Sequence, residues 1–175
     1  MILNTRDIAE VITDDIRKQV WEKKTQPSLT IIMVGNNSAS EVYVRNKIKT
    51  CESVGIKWIL LALAENITEE ELLEHIQKLN QDETIDGILV QSPLPVHIDA
   101  QKIFDAIRPD KDVDGFSATN IAKLYSGDET GLVPWTPKGI MEIIKKHTPI
   151  EGKNVVVIGK STIVGKPLAM LLLHA

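Results

Sequence analysis

Apolar residues near the N-terminus recur with the period of a helix. They lie four positions apart: Ile8, Ile12, Ile16 and Val20. This spacing predicts an amphipathic helix that opens at Asn4 or Thr5 and turns one apolar stripe towards the protein interior.

Short apolar and β-branched runs then alternate with further helical segments. These runs span residues 29–34, 56–63 and 85–90. The first is continuously apolar or β-branched, which predicts a strand buried on both faces, as in a parallel sheet. Between the runs, Ser38 or Ser40 is predicted to cap a helix that reaches about Ser53. Thr68 and Glu71 have the spacing of a capping box for the next helix, so three βα units precede residue 100.

A second unit is predicted from about Val133. Thr136, followed by Pro137, is predicted to cap a helix. The apolar run 154–158 predicts a strand, and a glycine turn then leads into a predicted helix over 166–173. A lone βα unit cannot cover its own apolar faces, and Leu171 to Leu173 would have little to pack against. We therefore expect this segment to be the start of a second domain that the chain contains only in part.

Composition excludes several classes of protein. Hydrophobic residues make up 43% of the chain and charged residues 25%, the balance of a soluble chain with a packed core. The net charge is -4, with Lys and Arg scattered, which argues against a nucleic-acid partner. A single cysteine, Cys51, allows no internal disulfide and no zinc ligand set. Because no signal peptide or bilayer-spanning run is visible, we expect a cytoplasmic protein without a membrane partner.

The turn from Gly159 to Gly165 is typical of a phosphate cradle, because glycines allow close backbone approach before a helix N-terminus. It is not a Walker A loop, since five residues separate the glycines and Pro167 follows Lys166 where Ser or Thr would bind magnesium. It is not the standard dinucleotide pattern, because Ser161 replaces the second glycine. The pattern alone fits both a phosphate site and a purely structural turn.

Tyr43 and Lys47 lie four positions apart on the predicted second helix and therefore share a face. A partly buried lysine can act as an acid or base, and a neighbouring tyrosine can stack on a flat ring. An exposed lysine beside a core tyrosine is the alternative interpretation.

Two polar segments in the middle of the chain follow predicted elements. Residues 92–95 come directly after the strand that ends at Val90, where ligands collect in α/β sheets, although an ordinary proline-stiffened loop is the alternative. Asp112 and Asp114 lack the closing glutamate of a calcium loop. A single buried carboxylate could instead pair with the N–H donors of an amino-pyrimidine edge. The histidines show no zinc spacing and are expected on the surface: His75, His97, His147 and His174.

Five segments together resemble the methylenetetrahydrofolate dehydrogenase/cyclohydrolase family. They are SEVYVRNK at 40–47, GILVQSPLP at 87–95, KDVDGF at 111–116, PWTP at 134–137 and GKSTIVG at 159–165. The resemblance implies an α/β fold. An N-terminal three-layer domain with a parallel sheet would occupy residues 1–120, and the start of a Rossmann-like NAD(P)-binding domain would occupy residues 121–175.

The resemblance also implies an activity. The family oxidises 5,10-methylenetetrahydrofolate with NAD(P)+ to 5,10-methenyltetrahydrofolate and hydrolyses this product to 10-formyltetrahydrofolate. A homodimer that serves one-carbon metabolism and purine biosynthesis is implied as well. Lys47 would handle the proton when water adds to the methenyl bridge, and Gln91 would orient that lysine.

Further residues receive roles from the same resemblance. Tyr43 would pack on the folate rings, and Asp114 would grip the amino-pyrimidine edge, so both belong to the catalytic and substrate-binding set. A wall of the folate site would consist of Ser92, Pro93, Leu94 and Pro95. The phosphates of NADP, with NAD as the other possible cofactor, would be contacted by Gly159, Lys160, Ser161 and Gly165. No metal is implied.

Two residues depart from the family pattern, and the length does too. Trp135 stands where the family usually has cysteine, so no thiol role is expected. Lys160 replaces an arginine, which keeps the charge for a 2′-phosphate but loses the bidentate fork. The family chain continues beyond residue 175; if this chain ends there, we expect hydride transfer to be lost and the hydrolytic residues to be retained. A folate-binding or dimer-forming fragment without turnover is the competing interpretation, and Pro167 disfavours a P-loop nucleotide hydrolase.

Overall fold

Three parallel strands form a sheet at the centre of the first 100 or so residues. The computed structural model describes residues 5–175. The strands are β1 (Ser28–Val34), β2 (Lys57–Leu63) and β3 (Gly87–Val90), in the order β2-β1-β3. The crossovers contain α2 (Ser38–Val54) and α3 (Glu69–Gln81). Five further helices are described: α1 (Arg6–Glu22), α4 (Ala100–Asp105), α5 (Ala118–Ser126), α6 (Trp135–His147) and α7 (Gly165–Leu173).

Helices cover both faces of the sheet, which confirms the predicted three-layer α/β architecture. On one face Ile32 and Val90 pack with buried side chains of α3 and α4 such as Ile76. On the other face Ile31 and Leu89 pack with residues of α2. β1 is buried along almost its whole length because it has a strand on either side and helices above and below.

The N-terminal helix departs from the prediction in one respect. It begins after Thr5, which is one of the two predicted starts. The other predicted start, Asn4, lies outside the described residues. The expectation that its apolar stripe faces the interior is confirmed only in part: Ile8, Ile16 and Val20 are half-buried, whereas Ile12 is exposed and no residue of α1 is fully buried. The physical reason is that α1 packs mainly on one neighbour, α2, with Arg17 Nε donating a hydrogen bond to the Ser53 carbonyl at 2.9 Å.

Two predicted helix caps fall on the wrong residue. Asn37, not Ser38 or Ser40, caps α2, because its side-chain oxygen accepts a hydrogen bond from the Ser40 N–H at 3.1 Å. Pro134 occupies the cap position of α6, so Thr136 already lies inside the helix. Pro137 lies in the first turn of α6 and is tolerated there, because the N–H groups of a first turn have no partner within the helix.

The capping box of α3 is confirmed. The Glu71 N–H donates to Thr68 Oγ1 at 3.1 Å, and the Thr68 N–H donates to Glu71 Oε2 at 2.9 Å. Two N–H groups that the first turn would otherwise leave without a protein partner are satisfied in this way.

Thr68→Ala tests the contribution of this cap to stability. We expect the free energy of unfolding to fall by about 1 kcal/mol, the usual loss when an N-cap hydroxyl is removed. Urea denaturation monitored by circular dichroism measures this difference. Thr50→Ala is the matched control: this exposed threonine lies inside α2 and donates to the Asn46 carbonyl, so its loss should change stability by less than about 0.5 kcal/mol.

The predicted strand at 154–158 is wrong. These residues carry no strand pairing, and Val156 and Ile158 are 85% and 99% exposed. A β-branched run needs a neighbouring strand to satisfy its backbone groups, and the described residues provide none beside it. The helix after the glycine turn is confirmed as α7, which packs on α5 and α6. The expectation that Leu171 to Leu173 have little to pack against holds for the exposed Leu173, whereas Leu171 and Leu172 are half-buried.

Candidate active site

Gln91 is the first residue after β3 and lies at the carboxyl edge of the sheet. Its N–H donates to the Ile32 carbonyl of β1 at 2.8 Å, which continues the strand pairing by one bond. Its side-chain Nε2 donates to the Ser92 carbonyl at 2.7 Å. Because the amide nitrogen is engaged there, the amide oxygen is directed away from Ser92 and is free to accept from a different donor.

That donor is Lys47. Its Nζ lies 3.1 Å from Gln91 Oε1 and donates a hydrogen bond to it. Lys47 is half-buried on α2, and the two residues are 44 positions apart in the chain. The sheet and the crossover helix therefore bring together the two residues that the family resemblance had paired.

Tyr43 lies one helical turn before Lys47 and is 63% exposed. The alternative of a core tyrosine beside an exposed lysine is wrong, because Tyr43 is exposed and Lys47 is half-buried. A half-buried amine next to an exposed aromatic ring is an arrangement suited to a flat ligand that stacks on the ring and presents a reacting atom to the amine.

Asp114 completes the cluster from another part of the chain. Residues 111–112 run along the outer edge of β3, where Asp112 bridges to Ile88 and the Ile88 N–H donates to the Lys111 carbonyl at 2.8 Å. Burial raises the pKa of the Asp114 carboxyl from 3.8 to about 6, while the positive charge of Lys47 acts to lower it and the negative charge of Asp112 to raise it. Asp114 and Lys47 therefore lie within electrostatic range of each other.

Asp112 has a different environment from Asp114. Its side chain is only 1% exposed and accepts hydrogen bonds from the Ser117 N–H at 2.9 Å and from Asn120 Nδ2 at 2.9 Å. Asn120 in turn accepts from the Leu132 N–H at 3.1 Å. Asp112 thus ties the loop to α5, a role that the sequence analysis did not identify.

Lys111 is also buried and was missed. Its ammonium group donates to three backbone carbonyls at the end of α3: those of Leu79, Asn80 and Asp82, at 3.0, 3.0 and 2.8 Å. These carbonyls have no partner within the helix, so a cation there satisfies them and complements the helix dipole. The burial of a charged residue cannot be predicted from a hydrophobic pattern. The only sequence feature that could have pointed to Lys111 is its position next to Asp112 before the loop.

The segment after Gln91 lies beside the cluster. The Ser92-Pro93 peptide bond is cis, and both residues are exposed. The Ser92 carbonyl accepts from Gln91 Nε2 and lies 3.5 Å from the Ser40 hydroxyl. Leu94 is half-buried against the hydrophobic core, and Pro95 is also half-buried. The segment is therefore held at Ser92 by hydrogen bonds and at Leu94 by packing against the core.

The glycine turn forms a second cluster. Gly159 has a φ of +154°, and a Cβ on Gly165 would lie 2.3 Å from the Gly159 carbonyl oxygen, so no side chain fits at Gly165. Ser161 Oγ accepts from the N–H groups of Val164 and Gly165, each at 3.2 Å, at the start of α7. Lys160 is exposed. Within the described part of the chain, no hydrogen bond links this turn to Lys47, Gln91 or Asp114.

Among residues 5–175, no group of three His, Cys, Asp or Glu side chains is arranged to hold a metal ion. In the same range, none of the helices combines the length and apolar character needed to span a bilayer. The histidines lie at the surface as predicted, three exposed and His75 half-buried.

Two family models match the chain. Residues 3–114 match the catalytic domain of tetrahydrofolate dehydrogenase/cyclohydrolase, and residues 134–175 match the NAD(P)-binding domain of the same enzymes. Tyr43, Lys47, Gln91 and Asp114 all fall in the first match, and the glycine turn from Gly159 to Gly165 falls in the second.

Individual relatives agree with the models. The chain is 51% identical to the bifunctional protein FolD of Listeria innocua over 97% of this chain and 59% of that protein. It resembles the crystal structure of the FolD enzyme of Campylobacter jejuni with a TM-score of 0.97 and 42% identity, over 99% of this chain and 63% of that one. The Trypanosoma brucei FolD, solved with NADP cofactor and inhibitor, gives a TM-score of 0.92 and 32% identity, over 99% and 61%. The chain thus spans about three-fifths of the length of the relatives it matches.

Proposed function

This chain belongs to the tetrahydrofolate dehydrogenase/cyclohydrolase family, and from that premise we propose that it acts in one-carbon folate metabolism. The proposed reactions are the NAD(P)-dependent oxidation of 5,10-methylenetetrahydrofolate to 5,10-methenyltetrahydrofolate and the hydrolysis of this product to 10-formyltetrahydrofolate. The observation that carries the proposal is the 3.1 Å hydrogen bond between Lys47 Nζ and Gln91 Oε1 at the carboxyl edge of the sheet.

Lys47 is the proposed acid and base of the hydrolytic step. The oxygen of a water molecule adds to the methenyl carbon, and the amine of Lys47 accepts the proton that the water loses. The nitrogen whose bond to that carbon breaks takes up this proton, while the remaining hydroxyl proton is released to solvent and the oxygen becomes the carbonyl of the formyl group on the other nitrogen. Gln91 holds the amine in place through its amide oxygen, and such positioned proton transfer accelerates reactions about 10²–10⁴-fold.

Asp114, Tyr43 and residues 92–95 are the proposed folate-binding residues. A carboxylate offers two acceptor oxygens, which match the adjacent N–H donors of an amino-pyrimidine edge. The exposed ring of Tyr43 can stack on the pterin, and the 92–95 segment would form the facing wall. The support for this assignment is the shared location of these residues around Lys47.

The binding of folate should depend on pH through Asp114. Its pKa of about 6, against the ordinary 3.8, means that the carboxylate needed for pairing forms only as the pH rises through about 6. We expect the affinity for a reduced folate to increase over this range in the parent chain. Asp114→Asn cannot ionise, so its affinity should follow a flatter profile. Equilibrium binding measured at a series of pH values tests this.

The same carboxyl should influence stability with the opposite sign. A group whose pKa is higher in the folded state, about 6, than its ordinary value of 3.8 stabilises the fold at low pH, and this contribution is lost as the pH rises through that interval. The stability of the parent relative to Asp114→Asn should therefore fall between these two pH values. A parallel pH dependence of unfolding in the two proteins would contradict the assignment.

Gly159, Lys160, Ser161 and Gly165 are the proposed contacts of the NADP phosphates. The support for this assignment is the turn itself, which leads into α7: the backbone of Gly165 lies directly against that of Gly159, and Ser161 Oγ accepts from the N–H groups of Val164 and Gly165. The exposed Lys160 could pair with a phosphate charge, and NAD remains the alternative cofactor. When bound, the nicotinamide supplies the hydride acceptor, and the protein orients the two rings.

A direct assay separates this proposal from its main competitor. The purified chain should hydrolyse 5,10-methenyltetrahydrofolate, and the loss of the substrate's absorbance measures this reaction. A second assay, with NADP, tests the oxidation. Folate binding without either turnover would favour the interpretation of a binding fragment. The absence of both binding and turnover would contradict the proposal as a whole.

The setting of the activity is proposed as well. We expect a cytoplasmic homodimer, with a folate as its small-molecule partner and with a product that serves purine biosynthesis. A single cysteine, Cys51, which is buried and free, is compatible with a reducing compartment. The molar mass in solution, from analytical ultracentrifugation, tests the dimer, and a monomer at all concentrations would exclude it.

A further inference from the structure

Trp135 makes an unusual contact for a residue at the surface. It is the first residue of α6, and its ring is 62% exposed. Nevertheless its indole Nε1 donates a hydrogen bond to the backbone carbonyl of Val113. Val113 immediately precedes Asp114, so this bond reaches across 22 positions of the chain to the loop that carries the half-buried Asp114 carboxyl.

The Val113 carbonyl belongs to the peptide group that links Val113 to Asp114. This group is planar, so fixing the direction of its carbonyl also fixes the direction of the Asp114 N–H. The remaining freedom of Asp114 is then the rotation about its own backbone and side-chain bonds. A donor on this one carbonyl therefore limits where the Asp114 carboxyl can point.

The surrounding contacts leave this peptide as the part of the loop that needs such a donor. On one side the Val113 N–H donates to the Lys111 carbonyl at 2.9 Å, and the Val113 side chain covers Gly87, where a Cβ would lie 2.6 Å from its Cγ1. On the other side the Gly115 N–H donates to the Asp112 carbonyl at 3.1 Å. These hydrogen bonds hold Val113 and Gly115, the residues that flank Asp114. The indole of Trp135 holds the peptide group that joins Val113 to Asp114.

The chain segment before α6 supports the same loop at a second point. A Cβ on Gly115 would lie 2.6 Å from the carbonyl oxygen of Leu132, so the backbones of these residues are in direct contact. Leu132 and Trp135 thus approach the loop on either side of Asp114. Because both belong to the segment that leads into α6, the position of α6 is coupled to the position of the carboxyl.

We propose that Trp135 is a positioning residue that holds Asp114 in the folate site through its hydrogen bond to the Val113 carbonyl. This inference rests on the proposed function of Asp114 and adds to it a residue that does not itself touch the substrate. The charged groups that face the carboxyl are Lys47 from α2 and Asp112 from the loop. Neither is altered by a change at Trp135.

Trp135→Phe is the decisive variant, because it keeps an aromatic ring and removes only the donor. Without the donor the 113–114 peptide can turn, and the carboxyl gains access to water. We expect its pKa to fall from about 6 towards the ordinary 3.8, measured by NMR titration of ¹³C-labelled aspartate carboxyls. We expect the KM for the methenyl substrate to rise about fivefold, the effect of one neutral hydrogen bond, with kcat nearly unchanged.

Trp21→Phe is the matched control. Trp21 lies on α1 and is 89% exposed, so its replacement should alter neither the Asp114 titration nor KM. A second measurement needs no variant at Trp135: the indole N–H of Trp135 should exchange with solvent more slowly than that of Trp21, although both rings are exposed.

An unchanged Asp114 titration in Trp135→Phe, or equally fast exchange of the two indole N–H groups in the parent chain, would overturn the inference. Both measurements are made on the protein without substrate. If the parent chain neither binds nor hydrolyses the folate, the proposed function fails, while the titration and the exchange rates still decide whether Trp135 holds the Asp114 loop.

Discussion

Lys47→Ala is expected to lower the rate of methenyl hydrolysis by about 10²–10⁴-fold, the usual contribution of a positioned acid or base. The amine is half-buried and hydrogen-bonded to Gln91 Oε1 at 3.1 Å, so alanine removes the proton acceptor and leaves the amide oxygen without this partner. Lys47→Arg should be almost as inactive, because a guanidinium keeps the positive charge but does not give up its proton at working pH. Steady-state hydrolysis kinetics on the purified variants measure both losses.

Lys49→Ala serves as the control for this experiment. Lys49 lies two positions further along α2 and is exposed, so its loss removes one positive charge from the same helix without touching the cluster. We expect its hydrolysis rate to remain within about twofold of the parent, because single exposed charges contribute little. Equal rates for the parent and Lys47→Ala would remove the basis for the proposed hydrolytic mechanism.

The second large effect is expected at Asp112 and concerns stability. Asp112→Ala removes a buried carboxylate and leaves the Ser117 N–H without its acceptor, and Asn120 Nδ2 keeps only its bond to the Pro109 carbonyl. Breaking such a buried, charge-assisted network costs about 3 kcal/mol. Thermal and urea unfolding of the variant measure the loss.

Asp110→Ala is the matched control. Asp110 lies two residues earlier and is exposed, and it pairs with Arg108 on the surface at 2.6 Å. An exposed ion pair of this kind contributes about 1 kcal/mol or less. Equal destabilisation by the two substitutions would mean that the buried network around Asp112 does not hold the loop.

The sequence predicted the elements whose side-chain patterns follow from local geometry. The capping box at Thr68 and Glu71 was confirmed because its two hydrogen bonds join residues only three positions apart. β1 was confirmed because a continuous apolar run of that length is stable only when it is covered on both faces. The parallel sheet then follows from the alternation of strands with helices, since parallel neighbours require a crossover between them.

The strand at 154–158 shows where this reasoning fails. The β-branched composition of the run is a real preference, but a strand exists only through hydrogen bonds to another strand. No partner stands beside it in the described residues, and Ile158 is 99% exposed. The apolar stripe of α1 is only half-buried for a related reason, because a helical period shows which side chains share a face but not how completely that face is covered.

For the candidate site too, some features followed from the sequence and others only from the tertiary structure. The sequence by itself determined that Lys47 and Tyr43 share a helical face and that Gln91 follows a strand, and the family resemblance supplied their expected roles. The tertiary structure decided that Nζ of Lys47 meets Oε1 of Gln91 across 44 positions, and that Tyr43 is exposed.

Only the tertiary structure separated Asp112 from Asp114, which look alike in the sequence. One carboxyl is enclosed by donors from α5 and the following loop, whereas burial raises the pKa of the other to about 6 beside the amine of Lys47. The reason is physical: periodicity and capping act over a few residues of one chain segment. Burial, charge and the donors of Trp135 or Asn120 come from segments that are brought together only when the chain packs.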